Sequence, residues 1–206
     1  DLNSLYYGLQ IQLAFYLAAA MELFGKERGG KEILPAGILY YNMEDPLVDR
    51  GEDVEKSILK ALKMNGIVNS DYDMVKHQDK NFRTEGEGIR PLVKSDVIPV
   101  ESNKNGELTK RSQSVATGDI LLLLSHVKEL AGSILNGNTA VSPYRMAGHT
   151  ACDYCSYKAV CGFDTGLKGF DYKNLRVLEK EEIFERMRKG GQGEDGREED
   201  RRDKEK

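Results

Sequence analysis

The sequence predicts a mixed α/β domain, because segments with helical periodicity alternate along it with short apolar segments suited to strands. Its 206 residues are enough for one domain with its own core, and we expect this domain to span residues 1–188. Hydrophobic residues make up 39% and charged residues 31%, proportions typical of a soluble globular protein. No apolar stretch approaches the roughly 20 residues of a membrane-spanning helix, so no membrane association is expected.

The first part of the sequence predicts a helix, a strand and a second helix. Apolar residues recur every three or four positions from about residue 4 to residue 24, and Gly25 with two later glycines predicts the end of this helix. Residues 33–42 have the apolar, β-branched and aromatic content of a buried strand. Helical periodicity returns over residues 52–65, and Gly66 predicts its end.

The second part predicts two more helices and a hairpin. A short helix is expected over residues 71–79, while residues 97–100 and 108–111 flank a polar loop and predict a β-hairpin. A long helix capped by Thr117 follows. An extended stretch over residues 141–145 then leads into a cysteine-rich segment.

The tail differs in composition from the rest of the chain. Residues 189–206 contain six basic and seven acidic residues with no apolar one, so they are predicted to be disordered. The net charge of −4 excludes a globally basic nucleic-acid binder but leaves room for a local basic surface. Because the sequence opens on Asp1 rather than methionine, we expect it to be processed or cut from a longer protein.

Two short motifs resemble catalytic sequences without their context. Residues 25–31 spell G-x4-G-K, but Glu32 stands where a phosphate-binding loop has a hydroxyl for magnesium, and the motif follows a helix instead of a strand. No ATP site is therefore predicted in this chain. Asp171 and Lys173 form the D-x-K pattern of metal-dependent nucleases, yet two common residues near a charged tail are interpreted as surface.

All three cysteines fall within ten residues, at Cys152, Cys155 and Cys161. An odd number in a tight cluster makes a poor disulfide framework and indicates soft ligands for zinc or an iron–sulfur cluster. The compartment is then expected to be reducing and cytoplasmic. Three ligands are one short of a complete site, so either His149 closes a Cys3His zinc site or a fourth cysteine lies upstream of Asp1.

Gln12 and Tyr16 lie four residues apart and therefore share one face of the first predicted helix, together with Leu9 and Leu13. A glutamine on an inward face must be hydrogen-bonded, since an unpaired buried amide is costly. On spacing alone, a hydrogen-bonded core pair is favoured over a functional one.

Four segments carry a resemblance when taken in order: YYGLQIQLAFYL, LPAGILYYNMEDP, KRSQSVAT and SPYR followed by ACDYCSYKAVCGFD. Over nearly all of residues 1–188 they resemble the C-terminal, RecB-like nuclease domain found in the nuclease (AddB) chains of the AddAB family of Gram-positive helicase–nucleases. Gln12 and Tyr16 match the Q-x3-Y motif of RecB-type nucleases, which favours the functional interpretation. Cys152, Cys155 and Cys161 match the last three of the four cysteines that hold a [4Fe–4S] cluster in this family.

The resemblance implies the C-terminal portion of a PD-(D/E)xK nuclease fold with helical additions and an iron–sulfur segment over residues 149–164. It implies Mg²⁺-dependent cleavage of single-stranded DNA by a heterodimer with the AddA-type helicase, which uses ATP to process double-strand ends for homologous recombination and DNA repair. In the family, the catalytic histidine, carboxylates and lysine, and the first cluster cysteine, precede the Q-x3-Y helix. We therefore expect no catalytic residue in this chain beyond the supporting Gln12 and Tyr16, and no activity from the chain alone.

Three basic residues on the predicted hairpin, Lys104, Lys110 and Arg111, are candidates for DNA contacts, with a solvated charged loop as the alternative for each. Two other functions remain open. One is a shorter Cas4-like or RecB-like single-stranded DNA exonuclease, which shares Q-x3-Y and the terminal cysteines. The other is a non-enzymatic Cys3His zinc module that binds nucleic acid or protein and is closed by His149.

Overall fold

The structure, a computed structural model, describes residues 1–43, 45–48, 53–82, 94–103, 107–137 and 139–190. These residues form helices and short strands in a mixed order, which confirms the predicted α/β class. In chain order the elements are α1 (Leu2–Tyr6), α2 (Gln12–Glu27), β1 (Gly37–Tyr40), α3 (Val54–Leu62), β2 (Asn65–Asn69), α4 (Tyr72–Gln78), β3 (Ser114–Val115), α5 (Thr117–Leu135), β4 (Tyr144–Met146), β5 (His149–Thr150), α6 (Lys158–Cys161), β6 (Lys173–Leu175) and α7 (Lys180–Arg188). In the described part of the chain, no helix is long and apolar enough to cross a bilayer.

The strands form two small sheets. The first has the order β1-β2-β3, with β2 antiparallel to β1 and parallel to β3. The second has the order β5-β4-β6, in which β4 is antiparallel to β5 and parallel to β6. The second sheet therefore joins the segment before the cysteines to the segment after them.

Strand β2 lies at the centre of the first sheet and separates two hydrophobic clusters. Successive side chains of a strand point to opposite faces, so Ile67 joins one cluster and Val68 the other. The larger cluster is built by α1, α2, α5 and α7, with α5 in contact with the other three helices. The smaller cluster consists of Val68, Val75, Phe82, Ile98 and Val100. Burying each such side chain contributes about 1.5–3 kcal/mol.

The prediction of one helix from residue 4 to residue 24 is wrong, because the chain breaks between α1 and α2. Gly8 adopts φ 78°, a conformation that few other residues tolerate, and the Leu9 N–H donates to the Ser4 carbonyl as α1 closes. Apolar residues continue through the break, so periodicity alone does not reveal it. The predicted end at Gly25 is also wrong, since α2 continues to Glu27 before a loop with positive φ at Gly29.

Strand β2 is missing from the predicted elements, because the sequence pattern treats Gly66 only as the end of a helix. In the structure Gly66 lies inside β2 with φ 140°, and a Cβ there would lie 2.0 Å from the Ile38 carbonyl oxygen. The glycine is required by the close approach of β1. The preceding helix is shorter than predicted, and α3 has no fully buried residue among those described, with Val54 and Leu59 exposed.

The remaining predictions divide between local and long-range features. The short helix is confirmed as α4, whose N-terminus is capped by the Asp71 side chain accepting from the Met74 N–H. The long helix is confirmed as α5, although Ala116 takes the N-cap position and Thr117 is the first helical residue. Two isolated bridges, Lys94↔Glu101 and Ser102↔Leu108, replace the predicted hairpin strands. The predicted disorder of residues 189–206 falls mostly on residues 191–206, which lie outside the described residues.

Candidate functional site

The Gln12–Tyr16 pair occupies the first turns of α2. The Gln12 Nε2 atom donates a hydrogen bond to the Tyr16 hydroxyl oxygen at 2.7 Å, as the four-residue spacing predicts. Both side chains are exposed, so the prediction that they face the core is wrong. Ala14 and Ala18 instead form the buried face of α2. The predicted phase assumes one continuous helix from α1, and the break at Gly8 invalidates it.

The exposed pair presents hydrogen-bond donors to its surroundings. Because the Tyr16 oxygen accepts from Gln12, the Tyr16 O–H hydrogen points elsewhere, and one amide hydrogen of Gln12 remains available as well. Phe15 and Leu23, which are 46% and 61% exposed, extend the same helix surface with apolar area. Two donors beside an apolar surface suit a phosphate oxygen or an ordered water better than they suit a cation.

Two of the three basic candidates lie in a cleft. Lys110 and Arg111 are exposed and help to line a cleft of about 780 Å³ beside β1, β2 and the start of α7. Tyr40 and Lys180 also line this cleft, and the Lys180 Nζ atom donates to the Ser114 carbonyl at 3.1 Å. The third candidate, Lys104, lies outside the described residues. The cleft therefore holds cations next to an aromatic ring, with the acidic side chains of Glu179 and Glu181 at its edge.

Hydrogen bonds within a turn shape the beginning of the cysteine segment. After the tight β4–β5 turn, the Thr150 hydroxyl and N–H donate to the Asp153 carboxylate at 2.6 and 2.8 Å. These bonds, first that of the hydroxyl, hold the pKa of Asp153 below its ordinary range, because they stabilise the charged form. Cys155 then follows Cys152 across a turn closed by its N–H and the Cys152 carbonyl at 3.5 Å.

The three cysteines are free thiols in different environments. Cys152 is half-buried, whereas Cys155 and Cys161 are exposed, the latter at the end of α6. His149 is exposed and its Nδ1 atom lies 3.9 Å from an Asp153 oxygen. Across the described ranges, no group of three or more His, Cys, Asp or Glu side chains is arranged to hold a metal ion. The donor chemistry thus fits a soft metal centre, while neither predicted ligand set is gathered in a coordinating geometry.

The sequence analysis missed one residue next to the cysteines. The Tyr172 ring lies under the Arg145 guanidinium, whose Cζ atom is 4.6 Å from the ring centroid. A side-chain hydrogen bond with Cys152, together with burial, raises the pKa of the Tyr172 hydroxyl, because the bond favours its protonated form. Its neighbours Asp171 and Lys173 are exposed, which confirms that the D-x-K pattern lies at the surface. Only the parallel pairing of β4 with β6 brings these residues together.

Comparison with known protein families agrees with the fold and the sequence motifs. Residues 1–162 match the PD-(D/E)XK nuclease superfamily. The chain therefore belongs to this superfamily, which confirms the predicted nuclease fold.

Individual relatives are similar over almost the whole chain. The second (B-type) chain of the ATP-dependent helicase/deoxyribonuclease of Lachnoclostridium phytofermentans is 43% identical over 193 residues, which cover 92% of this chain and 17% of that protein. The protein of the same name from Alkaliphilus metalliredigens is 36% identical over 200 residues, covering 93% and 16%. The one from Thermoanaerobacter sp. strain X514 is 35% identical over 197 residues, covering 91% and 16%. These similarities confirm the predicted resemblance, and the chain spans about one sixth of the length of these relatives.

Proposed function

We propose that this chain is part of the nuclease component of a heterodimeric helicase–nuclease that processes DNA double-strand ends for recombinational repair. The observation that carries the proposal is the match of residues 1–162 to a nuclease superfamily, combined with 43% identity to a B-type helicase/deoxyribonuclease chain. An AddA-type helicase is the proposed partner, with ATP consumed by the complex. DNA ends are the proposed substrate, and the 5′-terminated strand is the one trimmed.

Within this function, Gln12 and Tyr16 are proposed to position DNA. The two donors of the exposed pair fit a phosphate oxygen of the scissile strand, or a water molecule bound near Mg²⁺ in the complete domain. Mg²⁺ supplies charge stabilisation and an activated water when bound. The pair itself carries no group that ionises near neutral pH, which suits orientation and not proton transfer.

Cys152, Cys155 and Cys161 are proposed to hold a [4Fe–4S] cluster with a fourth cysteine from outside this chain. Three free thiols within ten residues support this assignment, because soft thiolates are the usual ligands of iron–sulfur clusters. The proposed role is structural, since ligands far apart in sequence close a long loop and reduce the entropy of the unfolded chain. A Cys3His zinc site that includes His149 is the alternative outcome of a metal analysis.

The proposal is tested with the complete nuclease protein in complex with its helicase partner, on linear duplex DNA labelled at the 5′ end. We expect ATP- and Mg²⁺-dependent release of the label by the complex. The 206-residue chain alone is expected to leave single-stranded DNA intact, since the family's catalytic carboxylates and lysine precede the Q-x3-Y helix. Absence of cleavage by the complex contradicts the proposed function, and robust cleavage by the isolated chain contradicts the supporting role of Gln12 and Tyr16.

A further inference from the structure

Tyr172 is held in place by aromatic and cationic neighbours. The Arg145 guanidinium lies 4.6 Å above the ring centroid, a cation–π contact that fixes the tilt of the ring. On another side the Phe163 ring meets Tyr172 edge-on, with centroids 5.0 Å apart and an interplanar angle of 60°. Phe163 is packed in turn against Phe170, at 5.8 Å. The direction of the Tyr172 hydroxyl is therefore set by packing.

The hydroxyl of Tyr172 is directed at the cysteine segment. It forms a side-chain hydrogen bond with Cys152, and Thr150 is a second hydrogen-bonding neighbour. Thr150 is also tied to the start of the cysteine turn, because the Cys152 N–H donates to its hydroxyl at 3.3 Å. Cys152 is the half-buried member of the three cysteines. A hydrogen bond from a phenol to a sulfur is strongest when the sulfur is a thiolate, which is the form that binds metal.

We propose that Tyr172 is a positioning residue for the metal centre, and that its hydroxyl donates a hydrogen bond to the Cys152 sulfur and stabilises it as a ligand. The proposal rests on the cluster assigned under the proposed function and adds to it a residue that directly precedes β6. It also gives a role to the D-x-K segment, whose central residue matters here and whose flanking charges are exposed.

Two consequences distinguish positioning from simple packing. A hydrogen bond to a cluster sulfur favours the more negatively charged, reduced state, so its loss shifts the reduction potential to a more negative value. The same bond holds the ligand in place, and removal of such a partner lowers metal affinity by about 10–100-fold. A residue that only packs against the sheet changes stability without moving the potential.

The test uses the complete protein purified anaerobically, in wild-type form and with Tyr172→Phe, which removes the hydroxyl and keeps the ring. Tyr157→Phe is the matched control, since Tyr157 lies in the same segment with a 73% exposed side chain. Iron and sulfide content, the midpoint potential, and the rate of iron loss to a chelator are measured for each. We expect Tyr172→Phe to have a more negative potential and about tenfold faster iron loss. Tyr157→Phe is expected to match the wild type.

The possible outcomes separate this proposal from the one on which it rests. Wild-type protein without bound metal overturns both the cluster assignment and the role of Tyr172. A wild-type cluster whose potential and iron loss are unchanged by Tyr172→Phe overturns the role of Tyr172 alone. If the wild type binds zinc, unchanged zinc loss in Tyr172→Phe overturns the role and faster loss supports it. If Tyr172→Phe fails to fold, Arg145→Gln loosens the ring but keeps the hydroxyl, and unchanged metal loss in that variant also overturns the proposal.

Discussion

Asn3 and Leu178 are joined by two reciprocal hydrogen bonds although 175 positions separate them in sequence. The Asn3 side-chain amide donates to the Leu178 carbonyl at 3.1 Å, and the Leu178 N–H donates to the Asn3 Oδ1 atom at 2.8 Å. Both residues are buried. This contact joins α1 to the segment that enters α7, so the two described ends of the chain pack together against α5. It thereby helps to fix the start of α2, where Gln12 and Tyr16 lie.

Replacing Asn3 with alanine is expected to destabilise the fold by about 2 kcal/mol, because it leaves the buried N–H and C=O of Leu178 unpaired. Urea unfolding followed by circular dichroism measures the change. Asn174→Ala, at an exposed position in β6, is the control and should change stability by less than about 0.5 kcal/mol. Equal stability of the two variants would show that the reciprocal pair contributes nothing.

The contact between α2 and α5 is tested by Leu123→Ala. Leu123 is fully buried in the larger cluster, so truncation leaves a cavity and should cost about 2–5 kcal/mol. Leu121→Ala, on the same helix with a 38% exposed side chain, is the matched control and should cost clearly less. A cost for Leu121→Ala as large as that for Leu123→Ala would contradict the described orientation of α5.

Metal analysis of the complete protein distinguishes the two predicted ligand sets. Cys155→Ser should abolish iron binding, because a hydroxyl is a poor ligand for an iron–sulfur cluster. His149→Ala should leave iron content unchanged, since His149 belongs only to the alternative zinc site. Stoichiometric zinc that is lost in His149→Ala would contradict the cluster and favour the Cys3His site.

The basic cleft predicts a salt-dependent contribution to DNA binding. Substituting Lys110 and Arg111 with alanine should weaken binding of single-stranded DNA by the complete protein. If each contacts one phosphate, the slope of log K against log salt should fall by about 0.7 per residue. Lys56→Ala, on the exposed surface of α3, should leave both affinity and slope unchanged. An unchanged slope in the double variant would assign these side chains to a solvated surface.

Local features of the fold were predictable from the sequence, whereas long-range pairing was not. Helix α4 is indicated by the Asp71 cap, and α5 by a long apolar period. Gly66 is ambiguous in sequence, because glycine ends helices and also permits close approach of strands. Only the position of Ile38 in the folded structure decides between these roles.

The candidate site shows the same division. The spacing of Gln12 and Tyr16 predicted their hydrogen bond, which is a local contact, but the break at Gly8 turned the pair outward. Tyr172 could not be recognised, because its contact with Cys152 depends on β6 pairing with β4, a strand that lies nearly thirty residues earlier. Sequence motifs thus identified the residue types, and the fold decided what those residues touch.

The central claim is that the exposed Gln12–Tyr16 pair positions DNA for cleavage. Its most direct measurement is single-turnover, Mg²⁺-dependent cleavage of single-stranded DNA by the complete protein carrying Tyr16→Phe or Gln12→Ala. Tyr41→Phe is the control, because Tyr41 is 60% exposed and Tyr16 is 57% exposed. We predict that both variants of the pair cleave about 10–100-fold more slowly, with ATP hydrolysis unchanged and Tyr41→Phe at the wild-type rate. Cleavage by Tyr16→Phe and Gln12→Ala at the wild-type rate would contradict the claim.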